Sequence, residues 1–240
     1  MYLKAVKINS NQPSLEEYPF SLPIIKNLLH SNQPLPFSKP ITFLAGENGS
    51  GKSTLLEGIA LALGMHPEGG TKNFNFSTYD SHSELHEHLT LVRQGVLPKT
   101  MFFLRAESYY NLASTVQDLA LDAFYGNRTL HELSHGEGVL SIVTNRFTKN
   151  GLYLLDEPES GLSVSRQMTL LKEIITLSQR NCQFIIATHS PVLLAATQAT
   201  IYQIKQGTLQ TVNYHETDAY QDMKLFIDDP ERMLYYLLDD

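Results

Sequence analysis

With 240 residues, 42% of them apolar, the chain can bury a sizeable core and fits one large domain, or a core with a small appended subdomain. Its single cysteine, Cys182, excludes an intrachain disulfide framework and a Cys-based zinc site, and points to a reducing cytosol. The net charge of −7 excludes a global electrostatic footprint for nucleic acid and leaves open only a local patch, because residues 215–240 hold eight acids against Lys224 and Arg232 while the rest is nearly balanced.

No apolar run reaches the roughly 18 residues needed to cross a bilayer. The N-terminal run Met1–Ile8 lacks the apolar stretch of a signal peptide, so no direct membrane insertion is expected. In chain order, residues 2–8 predict a strand. The stretch Pro13–Pro40 carries six prolines and reads as the least regular part, wrapping a sheet edge. A buried strand follows over 41–45 and a helix over 53–63.

Between these two elements stands Gly46-Glu47-Asn48-Gly49-Ser50-Gly51-Lys52-Ser53-Thr54. Its G-x-x-x-x-G-K-[ST] spacing builds a loop of backbone N–H groups around a nucleotide's phosphates and aims a helix N-terminus at the anion. Gly46, Gly49 and Gly51 allow positive φ and close backbone approach. Lys52 is placed to reach the β- and γ-phosphates, and Ser53 to ligate Mg²⁺. ATP or GTP is the expected ligand.

Further along, Leu85, Leu89 and Val92 form a stripe that predicts a helix over 82–94 ending near Gly95. His82 and His86 share a face of that helix at ligand-compatible spacing. With His88 nearby but no H-E-x-x-H order, the cluster reads as a solvated face. A strand is expected over 100–105, and a helix over 109–124 with Leu112, Val116, Leu119 and Ala123 inward, ending at Gly126. Tyr109 and Tyr110 divide into one buried and one exposed ring. Helices at 134–147 and 164–179 bracket a strand at 152–156, the second helix carrying a stripe of Val164, Met168, Leu171 and Ile175. A strand over 183–188, a short helix over 190–197, strands 200–205 and 208–213 joined at Gln206-Gly207, and helices 217–226 and 230–238 complete the chain. Strands alternating with helices around a phosphate loop argue for an α/β sheet covered on both faces.

Leu152-Tyr153-Leu154-Leu155-Asp156-Glu157 is an apolar run ending in two carboxylates, suited to a buried strand that delivers both acids to its C-terminal end, where ligands gather in open α/β sheets. Asp156 is expected to hold Mg²⁺ through water, and Glu157 to position the attacking water. Ser134 and Glu137 have capping-box spacing, with Val139, Val143 and Phe147 continuing the stripe. Gly136 and Gly138 in the first turn cost helix stability, which implies that something approaches that backbone closely. A second triphosphate at this positive helix end meets the description.

On these residues the chain resembles the ABC class of ATPases over roughly residues 40–205. Leu133-Ser134-His135-Gly136-Glu137 is similar to the family's LSGGQ or LSGGE signature, with His135 in place of a glycine. Leu155-Asp156-Glu157-Pro158 is similar to its LLDEP, Ser160-Gly161-Leu162-Ser163 to its D-loop, and His189 in Thr188-His189-Ser190-Pro191 to its switch histidine. The resemblance implies a P-loop NTPase fold of ABC type, with a mixed central sheet flanked by helices. It implies one ATPase domain over 1–240, with a reduced helical signature subdomain at about 74–147 and an acidic helical end at 215–240.

The resemblance also implies ATP with Mg²⁺, and an ATP-dependent homodimer in which each nucleotide is held by one protomer's phosphate loop and the other's Ser134, Gly136 and Glu137. Glu157 would act as general base or water orienter beside Lys52, and His189 would sense the γ-phosphate. One departure is that no glutamine follows the strand at 101–105. Glu107 is expected to take the metal-proximal role, while Arg105 contacts phosphate, anchors the loop or forms a local ion pair. The adenine platform stays open among Tyr2, Tyr18 and Phe20. Glu157–Ser163 is closer to the EPE-type motif of soluble members than to the importers' EPTSALD. The resemblance therefore implies a cytoplasmic, ATP-hydrolysing switch that drives an unidentified protein partner in DNA maintenance or defence, with nucleic acid a candidate ligand. The alternative is the nucleotide-binding subunit of a membrane transporter.

Overall fold

The computed structural model describes residues 1–9, 14–66, 83–106, 109–118 and 130–238. Among them, six strands form the central sheet in the order β5-β6-β7-β3-β8-β9. These are β3 (Ile41–Gly46), β5 (Thr100–Arg105), β6 (Gly151–Asp156), β7 (Gln183–Thr188), β8 (Ala199–Lys205) and β9 (Thr208–Val212). All neighbours are parallel except β9, which returns antiparallel on β8 through the expected turn, where Gln206 and Gly207 both have positive φ. The three middle strands β3, β6 and β7 are buried along their whole length, because helices cover both faces of the sheet and leave no side for alternating polar residues.

One face carries Phe43, Tyr153, Leu155, Phe184 and Ile186, packed against α3 (Tyr109–Asp118), α4 (His135–Arg146), α5 (Val164–Ser178) and α6 (Pro191–Leu194). The other carries Leu44, Leu152, Leu154 and Ile185, under α1 (Pro23–Ser31) and α2 (Lys52–Ala62). The period of two along each strand produces this division. A second, three-stranded antiparallel sheet of β2 (Leu35–Pro36), β1 (Leu3–Ile8) and β4 (Leu89–Arg93) adds Leu3, Val6 and Ile8 to the second core.

Three expectations change. No helix spans 82–94 among the described residues. A 3-10 turn over Glu84–His88, capped by the Ser83 hydroxyl, leads into β4, which pairs with β1 from Leu3↔Arg93 to Ile8↔Leu89. Leu89 and Leu91 face inward at a period of two, so pairing with β1 overrode a helical spacing that rested on three residues. His86 bonds the Ser83 carbonyl and His88 meets the edge of Phe20, while His82 lies outside the described residues.

The proline-rich stretch contains α1, opened by Pro23 at N1 and closed by Asn32 in the left-handed region, with Ile24, Ile25, Leu28 and Leu29 inward. In α5 the buried stripe is Leu170, Ile174 and Leu177, whereas Val164 and Met168 are exposed and Leu171 and Ile175 only partly buried. Tyr109 is buried and Tyr110 exposed, as expected. Leu119, Ala123 and Gly126 of the helix expected at 109–124 lie outside the described residues. The acidic end forms α7 (Asp218–Asp228) and α8 (Pro230–Leu238), neither of which buries a single residue. No described helix is long and apolar enough to cross a membrane.

Candidate nucleotide site

β3 ends at Gly46, and the chain turns through Glu47–Gly51 into α2, with Gly49 at φ 77° and Gly51 at φ 92° as the helix N-cap. A side chain at Gly51 would also meet Ile24 of α1 at 2.6 Å. The Lys52 ammonium is buried and folded back on its own loop, donating to the carbonyls of Gly46 at 2.7 Å and Glu47 at 2.8 Å. Burial pushes the Lys52 pKa down, while the carboxylates of Glu157, Asp156, Glu159 and Glu47 pull it back up. The Ser53 hydroxyl donates to Asp156 Oδ1 at 2.9 Å. The Ser50 hydroxyl oxygen is buried with no hydrogen-bond partner among the described residues. A loop of amides, an ammonium, an orphaned hydroxyl and a hydroxyl–carboxylate pair suit a polyphosphate with Mg²⁺, a cation that takes one or two carboxylates and completes its shell with phosphate and water.

Asp156 and Glu157 stand at the carboxyl end of β6, as the apolar run predicts. Arg105, paired in register with Asp156 on β5, lies 2.8 Å from Glu57 of α2 and 3.7 Å from Asp156 Oδ2. These contacts are the local ion pair expected of Arg105 at the strand end. Glu107 lies outside the described residues. Glu157 has φ 48°, a backbone state costing a non-glycine residue about 1–3 kcal/mol and concentrated at functional sites. Its N–H donates to the Ala187 carbonyl at 2.9 Å, and its carboxylate lies 3.7 Å from His189 Nδ1. A cavity of about 320 Å³ opens here, lined by Ser53, Ala106, Tyr110, His135, Asp156, Glu157 and Ser160.

Glu159 was not singled out by its residue pattern, yet it is buried at the centre of this arrangement. Its Oε1 accepts from the Thr188 hydroxyl at 2.5 Å and from the His189 backbone N–H at 3.0 Å. Its Oε2 is buried without a hydrogen-bond partner among the described residues. The available signals were a third acid within four residues of a strand end, a pattern that equally describes an exposed acidic turn, and the second glutamate of the EPE-type motif, to which no role was attached.

At the start of α4 the capping box is formed. The Ser134 Oγ accepts from the Glu137 N–H, and the Glu137 carboxylate accepts from the Ser134 N–H at 3.1 Å and from its hydroxyl at 2.9 Å. The Ser134 bonds, and then Arg166 at 2.9 Å, hold the Glu137 carboxyl below the usual range. The close approach implied by the two glycines is made by the chain itself. A Cβ on Gly136 would sit 2.5 Å from the Gly161 carbonyl of the D-loop segment, and one on Gly138 would sit 1.7 Å from the Tyr109 hydroxyl. Packing within the chain is thus enough to require glycine at both positions. Gly138→Ala is expected to destabilise the protein by about 1–3 kcal/mol through overpacking against Tyr109. An unchanged denaturant midpoint for this variant would contradict that packing.

Tyr2 is buried with its hydroxyl on the Asn181 carbonyl, and Phe20 is buried against His88. Tyr18 is 62% exposed with its hydroxyl 3.2 Å from the Thr54 hydroxyl, next to the phosphate loop. The structure thus brings Lys52, Ser53, Asp156, Glu157 and His189 into one neighbourhood, whereas Gly136 and Glu137 face Gly161 and Arg166.

Comparison with known proteins agrees with this geometry. The AAA domain family model matches residues 25–190. An uncharacterized ABC transporter ATP-binding protein of Haemophilus influenzae is 29% identical over 221 residues, covering 82% of both chains. The molybdate import ATP-binding protein MolC of Haemophilus influenzae is 30% identical over 70% of this chain and 69% of its own. Among solved structures, a metal-chelate type ABC transporter in an inward-facing conformation superposes with a TM-score of 0.51 at 17% identity, covering 92% of this chain and 88% of that one. A nucleotide-free ATP-binding cassette from an ABC transporter gives 0.50 at 16% identity, over 96% and 97%. The phosphate loop, the paired carboxylates and these relatives together place the chain in the AAA domain family, as an ATP-binding and ATP-hydrolysing ATPase of the ABC type.

Proposed function

We propose that two copies of this chain close around two Mg-ATP and that hydrolysis drives a membrane-embedded partner protein. The observation that carries the hydrolytic part is the alignment of Ser53 on Asp156, with Glu157 next in the chain and His189 beside it, at the ends of adjacent strands. In this reading the amides of Gly46–Thr54 hold the phosphates, and Lys52 exchanges its loop carbonyls for phosphate oxygens. Ser53 and Asp156 hold the Mg²⁺, which offsets charge on the transferring phosphoryl group. Glu157 orients the attacking water and accepts its proton, and His189 contacts the γ-phosphate. Ser134, Gly136 and Glu137 meet the nucleotide of the opposite copy. Glu107, two residues beyond Arg105, is the candidate for the place that the family gives to glutamine. Tyr18, the exposed ring of the three candidates, serves as the adenine platform.

The membrane partner is favoured over DNA maintenance, reversing the order in which the sequence ranked them. The two relatives described above are a transporter ATP-binding protein and an import ATP-binding protein. A DNA role has no counterpart in either, and the charge balance offers no broad basic surface. A cytoplasmic placement and a single ATPase domain over 1–240 belong to the same proposal.

The test is the mass in solution with and without a non-hydrolysable ATP analogue and Mg²⁺. Wild type should pass from monomer to dimer, and Ser134→Arg should bind the analogue yet stay monomeric. Tyr18→Ala should require about 5–150-fold more analogue, the loss expected for one base stack. A wild type that binds the analogue but stays monomeric would sink the two-copy sandwich. Purification of the tagged chain from detergent-solubilised membranes of its host should bring an integral membrane protein with it, and recovery of the chain alone would remove the transport reading.

A further inference from the structure

Nine of the seventeen exposed large apolar residues among the described residues fall between Met223 and Leu238, on α7 and α8. Isolated exposed apolar residues are ordinary, whereas a concentration of them on adjacent helices marks an interaction surface. Tyr220, Met223 and Ile227 share one stripe of α7 and, with Pro191, Val192 and Tyr214, line a groove of about 220 Å³ between α6 and α7. Pro191 and Val192 are the first residues of α6 and follow directly on His189 and Ser190. The Ser190 hydroxyl accepts from the N–H groups of Val192 and Leu193 and donates to Gln167 at 2.7 Å. The groove wall and the histidine turn beside Glu157 are thus one short piece of backbone.

Charge decides what fits this surface. Residues 215–240 carry a net −6, and Asp222, Asp228, Asp229 and Glu231 are exposed on α7 or within three residues of its end. Lys224, the cation of the groove, is bonded to Asp228. An anionic lipid surface is repelled by these acids, and a second copy would set acid against acid. An amphipathic helix with leucine-like residues on one face and Lys or Arg on the other satisfies both the stripe and the acids, in the manner of helix-in-groove recognition. Cytoplasmic segments of membrane proteins carry an excess of these cations.

We propose that the groove between α6 and α7 docks a basic amphipathic helix of the partner protein. The proposal deepens the reading that this ATPase drives a partner and rests on it. Occupation of the groove is then felt at Pro191 and Val192, next to the histidine turn.

The test uses the full chain without nucleotide, titrated with a fluorescent synthetic amphipathic helix of leucine and lysine and with its leucine–glutamate counterpart. The leucine–lysine peptide should bind with a micromolar Kd, and the leucine–glutamate peptide should not. Ile227→Asp, at a position 65% exposed and therefore harmless to folding, should weaken binding about tenfold or more even though it adds negative charge. Asp222→Lys with Glu231→Lys should weaken it as well. Binding that Ile227→Asp leaves unchanged or strengthens would be mere attraction to an acidic chain and would overturn the proposal. So would an absence of binding, a self-association abolished by Ile227→Asp, or co-sedimentation with phosphatidylserine vesicles lost in that variant. Because no nucleotide is present, failure here leaves the ATP-dependent dimer untouched, and failure of the dimer leaves this result readable.

Discussion

Glu157→Gln is expected to lower steady-state ATP turnover by about 10²–10⁴, the usual worth of a positioned general base. The amide keeps the shape of the carboxylate but cannot take a proton from the attacking water. Glu157 is partly exposed, and the hydrogen bond that anchors it, from its N–H to Ala187, belongs to the backbone, so the substitution should leave the melting temperature nearly unchanged. Nucleotide affinity should also persist, because the Ser53–Asp156 pair and the phosphate loop are intact. The variant should therefore accumulate as an ATP-bound dimer under conditions in which wild type turns over. Equilibrium dialysis with labelled ATP separates binding from chemistry, and single-turnover rates isolate the hydrolytic step. Turnover within about twofold of wild type, with normal binding, would remove Glu157 from the role of base.

Glu159→Ala should damage both stability and turnover. The truncation strips the acceptor from the buried Thr188 hydroxyl and from the His189 N–H, at about 1–3 kcal/mol for each group left unsatisfied. For a chain of this size each kcal/mol lowers Tm by about 2–4 °C. Glu159 makes none of the hydrogen bonds described for Glu157 and the phosphate loop, and reaches Lys52 only through its charge. It is a positioning residue that ties the segment after β6 to the turn carrying His189. Its loss should lower kcat while leaving KM near the wild-type value. Glu159→Gln keeps one carbonyl acceptor in the same place and should recover much of the stability. A Glu159→Ala protein that melts with wild type, or one whose defect lies wholly in KM, would contradict this assignment.

The two substitutions also separate what each acid does. In the proposed roles Glu157 would act on water and should leave the fold alone, whereas Glu159 bonds the Thr188 hydroxyl and the His189 backbone N–H at the end of a neighbouring strand. Both lie in the stretch 156–159, where the place of Glu157 directly after Asp156 marks it in sequence, whereas the part played by Glu159 emerges only from its burial and partners.

The chain by itself determined the elements whose signals are local. The phosphate loop, the capping box at Ser134 and Glu137, the carboxylates ending β6 and the turn at Gln206-Gly207 all depend on spacing, turn chemistry or a continuous apolar run. Tertiary structure decided everything that depends on a distant partner. Residues 89–93 became a strand because β1 lies alongside, and α5 turned Leu170 and Ile174 inward rather than Val164 and Met168 because the sheet presses on that face. Gly136 and Gly138 serve the packing of Gly161 and Tyr109, contacts that no spacing within the helix could foretell. Glu159 reaches across 29 residues to Thr188, and Arg105 reaches Glu57 across 48. Short-range hydrogen bonding and periodicity are written in neighbouring residues, but the partner of a buried charge exists only once the strands have been placed side by side.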